Sequence, residues 1–400
     1  MLSAIYVILM LCLLVLIHEL GHFIAAKKYG VYCHEFAIGM GPKLLRFMGK
    51  ETLYSVRLFP IGGYVRMAGE EEKALLEQEN FYIETDKDTG HIKTFHKKTE
   101  LNLRVIHIAE VDQKKQVVKT GDGENINYQT NALVYLEKDK YFSLQPYNKL
   151  FQAKALWQRS IIILAGPLAN VILAFFLLMI SGFTNGVSSS SATIGEIKGG
   201  QGSTILQVND TILQVEGREI AKWSDFIESI ENNIHSEAIS IIVLRNETEL
   251  TLSLTAANLK EMSFIPSKTR EIAPVTKYSI IQMTRFTDMI YTSLKRLLVG
   301  EESIKNLSGP IGIIKTSYDI SEKQADVYIL WMAMLSINLA IFNMLPFPAL
   351  DGGRLSFIIF ELIFRKPLDS RREGLVHLAG FIVLIFFTIV ITWQDIIRIF

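Results

Sequence analysis

Fourteen consecutive apolar residues, Ala4 to Ile17, run directly into His18-Glu-Leu-Gly-His22, and few folds accommodate that junction. At about 1.5 Å rise per residue, a helix over Ala4–Ala26 covers a hydrocarbon core of roughly 30 Å. Ionisable side chains in hydrocarbon cost roughly 2.5–3.5 kcal/mol each on insertion scales, and they mark function. Residues i and i+4 share a helix face, so His18 and His22 can hold one metal ion between them. Glu19, one position along, can reach a water on that ion. A secretory signal peptide would carry positive charge ahead of its apolar run, whereas no Lys or Arg precedes Lys27. The segment reads as a retained membrane helix carrying two metal ligands.

Three further segments have membrane length. Ser160–Ile180 contains Gly166, Pro167 and Asn170, which predicts a helix that is kinked or closely approached by a neighbour. Val327–Leu350 contains Asn338, Asn343, Pro346 and Pro348 and is expected to unwind at its end. Leu375–Trp393 closes with a tryptophan suited to the membrane interface. A hydrophobic fraction of 49% supports a membrane protein, and 41 basic against 41 acidic residues leave no nucleic-acid footprint. Two cysteines are too few for a cysteine zinc site. Lys27, Lys28, Lys43, Arg46, Lys50, Arg57 and Arg66 follow the first helix, and Lys154 and Arg159 precede the second. Arg354, Arg365, Lys366, Arg371 and Arg372 lie between the third and fourth. By the positive-inside rule these connections are cytoplasmic, and the termini and residues 183–325 lie outside. Lys198, Lys323 and Arg398 are the exceptions near the other ends.

Between the first two helices, Glu51–Met67 predicts two short strands meeting at Pro60–Gly63. Such a hairpin could dip into the membrane and offer an edge to an unwound peptide, or be an ordinary cytoplasmic hairpin. Glu70–Tyr147 reads as a small β-rich insert with runs at Leu101–Ala109 and Ala132–Leu136. His91, His96 and His107 there are expected at the surface or in packing. In residues 191–256, strands at Ile205–Val208, Ile212–Val215, Ser240–Leu244 and Leu250–Leu254 surround one amphipathic helix, Trp223–Ile234. Ser224 is its expected cap, turns fall at Gly217 and Asn246, and His235 is a surface residue. The order resembles a PDZ domain, which binds extended peptides by strand addition. Where that family reads L-x-x-G-D-x-I, this chain has Leu206-Gln-Val-Asn209-Asp210-Thr-Ile212, and Asn209 can take the left-handed turn conformation. Tyr278–Gly300 is an amphipathic helix, fit either for the membrane surface or for packing on a domain.

A catalytic zinc site commonly has three protein ligands and one open position. The third candidate is Asp351, freed by Pro346 and Pro348 and followed by Gly352 and Gly353. A plain helix-terminating loop is the other reading of that stretch. With both motifs quoted, the chain resembles the site-2 protease family of intramembrane zinc metalloproteases, in its bacterial branch that cleaves anti-sigma factors. His18-Glu-Leu-Gly-His22 matches the family's first motif, and Asn343 to Gly352 matches N-x-x-P-x-P-x-L-D-G at every position. Leu164–Asn170 and Gly309–Ile313 resemble two further signatures. The resemblance implies that His18, His22 and Asp351 bind Zn2+, that Glu19 is the catalytic acid/base, and that Asn338 and Asn343 hold substrate. It also implies transmembrane substrates such as anti-sigma-factor stubs or signal-peptide remnants, in a bacterial plasma membrane. A silent scaffold with a structural metal would need a fourth ligand, for which His34 and His377 are the leftover histidines. A metal transporter would need further ionisable groups along its helices.

The expected fold is a polytopic α-helical membrane protein with four transmembrane helices, a membrane-associated β-hairpin and a PDZ-like α+β extracytoplasmic domain. Residues 1–28 form the first helix, 29–70 the hairpin region, 71–155 the cytoplasmic insert and 156–182 the second helix. The PDZ-like domain covers 183–262, an amphipathic linker 263–325 and the third helix 326–350. Residues 351–374 form a cytoplasmic connection carrying Asp351, and 375–394 the last helix.

Overall fold

The computed structural model describes residues 2–399 apart from 70–71, 78, 99–102, 138–139, 190, 199–204, 234–237, 256–262, 304–306, 323–324 and 367–369. His235 and Lys323 lie outside the described residues. The chain forms two units, residues 1–174 with 287–400, and residues 175–286.

Helix α1 (Leu2–Lys28) carries the apolar run and the histidines. It stops where Gly30 adopts φ +68° and the Val31 N–H turns back to the Ala26 carbonyl, a left-handed glycine stop. Strands β1 (Cys33–Met48) and β2 (Leu53–Met67) follow. The two short strands expected within Glu51–Met67 are corrected here: that stretch forms one bulged strand, and its partner is β1. Glu35 pairs with both Leu53 and Arg66, and Ile38 with both Val56 and Gly63. The segments on either side of Gly62 (φ +79°) therefore flank Cys33–Ile38 instead of pairing with each other. Lys43–Met48 adds to the far side of Leu53–Arg57, so Gly63–Met67 forms the opposite edge, with no strand beyond it among the described residues. Leu44, Leu45, Phe47, Met48, Leu58 and Phe59 are exposed apolar side chains of this sheet.

A short helix α2 (Glu72–Leu76) leads into β3 (Glu79–Thr85), β4 (Ile92–His96), β5 (Arg104–Asp112), β6 (Val117–Thr120), β7 (Asn125–Glu137) and β8 (Lys140–Ser143). The order β4-β3-β5-β6-β7-β8 is closed by a parallel β4–β7 pairing. The closure encloses Phe81, Phe95, Ile108 and Val134, and β8 remains as an outer strand paired, among the described residues, with β7 alone. His96 stacks on Tyr135 and His107 bonds to Asn80, which are packing roles. Helix α3 (Leu156–Asn185) then runs unbroken through Pro167.

The second unit takes in the end of α3 and β9 (Val187–Ser188), β10 (Ile194–Lys198), β11 (Thr211–Val215), β12 (Arg218–Glu219) and α4 (Trp223–Asn233). β13 (Ala238–Arg245), β14 (Thr248–Thr255), β15 (Ser263–Pro266) and β16 (Lys268–Thr269) complete its strands. The main sheet runs β12-β11-β13-β14, and α4 buries Phe226 and Ile230 in its core. Asn209 takes φ +74°, and Gly217 and Asn246 are also left-handed, as their turn positions require. Two expectations are corrected. Residues 205–208 form a turn in which Leu206 still reaches the core, held by the Gln207 N–H to Asp210 bond. Ser224 lies inside α4, where Asp225 accepts the Lys222 N–H.

Helix α5 (Ile272–Val299) is amphipathic. α6 (Pro310–Ser321), α7 (Ala325–Asn343), α8 (Asp351–Phe364) and α9 (Ser370–Ile399) follow. By length and composition α1, α3, α7 and α9 are long and apolar enough to cross a membrane. The segment Val327–Leu350 unwinds at its end, as expected: α7 stops at Asn343, and Met344–Leu350 leaves the helix. The stretch after it, read from sequence as a connection, begins with the 14-residue α8.

Candidate metal centre

Small residues bring the first two membrane-length helices together. A Cβ at Gly21 would collide with the Ala165 carbonyl, and one at Gly166 would collide with His22 Nε2. Close backbone approach of this kind is how helices associate where no hydrophobic drive separates lipid from protein. It sets the His22 ring directly on α3. The extended Met344–Leu350 segment brings Asp351, the first residue of α8, to the same place. Gly352 and Gly353 allow that segment to fold back on the helix, since side chains there would strike the Met344, Leu345 and Phe347 carbonyls.

The result is a triangle of acceptors. His18 Nε2 lies 3.1 Å and His22 Nε2 3.3 Å from Asp351 Oδ2, and the two imidazole nitrogens are 3.2 Å apart. Both histidines are more than nine-tenths buried. His22 Nδ1 donates to the Ile162 carbonyl at 2.9 Å, leaving Nε2 as a lone pair. The Asn170 amide lies 3.2 Å from His18 Nδ1, and its Oδ1 is buried with no other partner. With Oδ1 presented to Nδ1–H, Asn170 gains a partner and His18 Nε2 is also left as a lone pair. Asp351 Oδ2 has no hydrogen-bond donor either. Three acceptors facing one another repel unless a cation sits among them. Tetrahedral zinc with bonds of about 2.0–2.1 Å needs ligand atoms about 3.3–3.4 Å apart, so the observed spacings fit zinc.

These ligand atoms face a cavity of about 240 Å³ also lined by Glu19, Asn343, Arg354 and the Gly63–Val65 edge of the hairpin. Gly63 packs against Glu19, where a Cβ would stand 2.9 Å from its Cγ. The structure thus brings together five of the six residues singled out from sequence. Asn338 does not line the cavity. Five residues from Asn343 is about 140° around a helix, so the two amides leave α7 in different directions. His34 pairs with Glu72 and His377 with the Ala349 N–H, so neither leftover histidine is a fourth ligand. Asn170, read from sequence only as part of its helix and of a helix-two signature, is the residue whose contact with a candidate ligand was not anticipated. Its presence in a helix of membrane length was the available signal.

The sequence profile described as Peptidase family M50 matches residues 6–387. A zinc metalloprotease RasP of Geobacillus kaustophilus is 33% identical over 404 residues, covering 97% of this chain and 96% of its own. The regulator of sigma-W protease RasP of Bacillus subtilis is 32% identical over 412 residues, with the same coverage. A putative zinc metalloprotease of Staphylococcus aureus is 31% identical over a similar span. Family and relatives agree with the acceptor triangle on the class of enzyme and its Zn2+ cofactor. The chain belongs to peptidase family M50, the site-2 protease family of membrane-embedded zinc metalloproteases.

Proposed function

We propose that this protein cleaves peptide bonds inside transmembrane segments of single-pass proteins, with zinc held by His18, His22 and Asp351. The convergence of three buried acceptors beside Glu19 carries this reading. Zinc held by His18, His22 and Asp351 would supply Lewis acidity, lowering the pKa of water to roughly 7 and polarising a carbonyl. Glu19 takes the proton of the attacking water and returns it to the departing amine nitrogen. A transmembrane helix has its amides satisfied internally and must unwind before it can be cut. The Gly63–Met67 edge lines the cavity and has no strand partner beyond it among the described residues, so an unwound segment can add there as a strand. Asn343 lines the same cavity, which supports a role for it in holding the substrate backbone; Asn338, on the same helix, lies outside that lining.

Anti-sigma factors already shortened by another protease fit this reading, as do signal-peptide remnants; the Bacillus subtilis relative is named a regulator of sigma-W protease. The basic connections put residues 29–155 and 351–374 on the cytoplasmic side of a bacterial plasma membrane, with the termini and residues 183–262 outside. We read that outer domain, a four-stranded sheet with one packed helix, as PDZ-like and as a size filter or peptide-binding module; the sheet and helix support this reading. The test is Glu19→Gln in purified protein given single-pass stubs. The variant should bind zinc stoichiometrically and cut at least 1,000-fold more slowly, on the order of the loss when a catalytic group is removed. Cleavage at the unmodified rate would overturn the assignment.

A further inference from the structure

The last membrane-length helix takes hold of the metal-ligand loop at one point. Ala349, two residues before Asp351, has φ +78°, a conformation that a residue with a Cβ adopts only when its surroundings impose it. Its N–H donates to His377 Nδ1 of α9 at 2.8 Å. One turn further along α9, Gly380 leaves room for Pro348, whose carbonyl oxygen would stand 2.6 Å from a Cβ there. The His377 ring is itself fixed, edge-on to Phe357 of α8 with centroids 5.2 Å apart, and its Nε2 lies 3.9 Å from Glu373 Oε1. Toward its other end α9 is pinned by buried Asp395, which accepts the Gly309 and Gly312 N–H groups at the start of α6. A helix held at both ends therefore presents one acceptor to the strained residue beside Asp351.

We propose that His377 is a positioning residue for the metal site, holding Asp351 in register through its hydrogen bond to the Ala349 backbone. The inference rests on the reading of Asp351 as a zinc ligand. Groups bonded directly to metal ligands typically change affinity 10–100-fold when removed, and His377, acting one step further back through the Ala349 backbone, is expected at the lower end of that range. What matters is an acceptor at the Nδ1 position, and asparagine reproduces that while phenylalanine keeps only the ring.

The experiment strips the full-length detergent-purified protein of metal and measures zinc affinity by competition with a chromophoric chelator. His377→Asn, His377→Phe and Asp351→Asn are compared with the unmodified chain, and the melting temperature of each apo form reports folding. We expect His377→Asn to bind within threefold of the unmodified chain and His377→Phe at least tenfold more weakly. Loss in both variants, or in neither, overturns the proposal, because the acceptor would then not be the operative group. Should the Phe variant not fold, His377→Gln replaces it; its acceptor reaches the Nε2 position, and the same tenfold weakening is required. Retention of zinc by Asp351→Asn overturns the site reading and this inference with it. Loss there, with His377→Phe unaffected, overturns this inference alone.

Discussion

Gly166→Ala adds one methyl group and is predicted to weaken zinc binding sharply while leaving the rest of the fold intact. In the structure that methyl would stand 2.6 Å from His22 Cε1 and 2.7 Å from Cδ2, against an ordinary contact of at least 3.4 Å. His22 Nε2 would be closer still, so the ring must retreat by more than 0.8 Å, the shortfall at Cε1 alone. It cannot do so freely, because Nδ1 is tied to the Ile162 carbonyl on the same helix as Gly166. Metal–ligand distances tolerate about 0.2 Å, so the displacement exceeds the tolerance several-fold. We expect zinc affinity to fall roughly 100-fold, about 2.7 kcal/mol. Chelator competition on the purified variant measures it, with Gly374→Ala as control, since a Cβ there meets nothing within 4 Å. Zinc binding by Gly166→Ala at the unmodified affinity would refute the packing argument.

Two more predictions concern groups around the centre. Asn170→Leu removes the partner of His18 Nδ1 and should weaken zinc binding about 10–100-fold, whereas Asn170→Asp, which keeps an acceptor, should be milder; the same competition assay ranks them. Burial would raise the Glu35 carboxyl, but hydrogen bonds with Ser55, Arg57 and Tyr64 and the Lys43 ammonium outweigh it and hold its pKa at about 2. A depressed carboxylate stabilises fully above its unfolded pKa of about 4.5 and loses that contribution as the pH falls toward 2. The melting-temperature gap between the unmodified protein and Glu35→Gln should stay constant from pH 8 to 5 and shrink below that; a gap that is level down to pH 3 would contradict the cluster's role.

The sequence signalled what is local and periodic. The apolar run before His18 announced α1, and Pro346, Pro348 and Asp351 announced a break where a carboxylate could join the histidines. Helix α8 escaped because it is too short to register as a membrane segment and starts at the very residue read as loop. Strand β1 escaped because Gly39 and Gly41, both with positive φ, interrupt its alternation. The contacts that tune the centre are longer-ranged still. Asn170 meets His18 across 152 residues and His377 reaches Ala349 across 28, separations that no periodicity encodes. Gly166 shows the same limit, since its role as the floor under His22 appears only once α1 and α3 are packed.

Catalysis at this site requires two imidazoles and the distant Asp351 carboxylate to share one ion. X-ray absorption at the zinc edge of the loaded protein reads that shell directly. The geometry predicts two imidazole nitrogens and light-atom oxygen ligands at about 2.0–2.1 Å, with the imidazole outer-shell signal halved in His22→Ala and the oxygen contribution reduced in Asp351→Ala. A shell containing sulfur at about 2.3 Å, or one unchanged by either substitution, would place the zinc elsewhere.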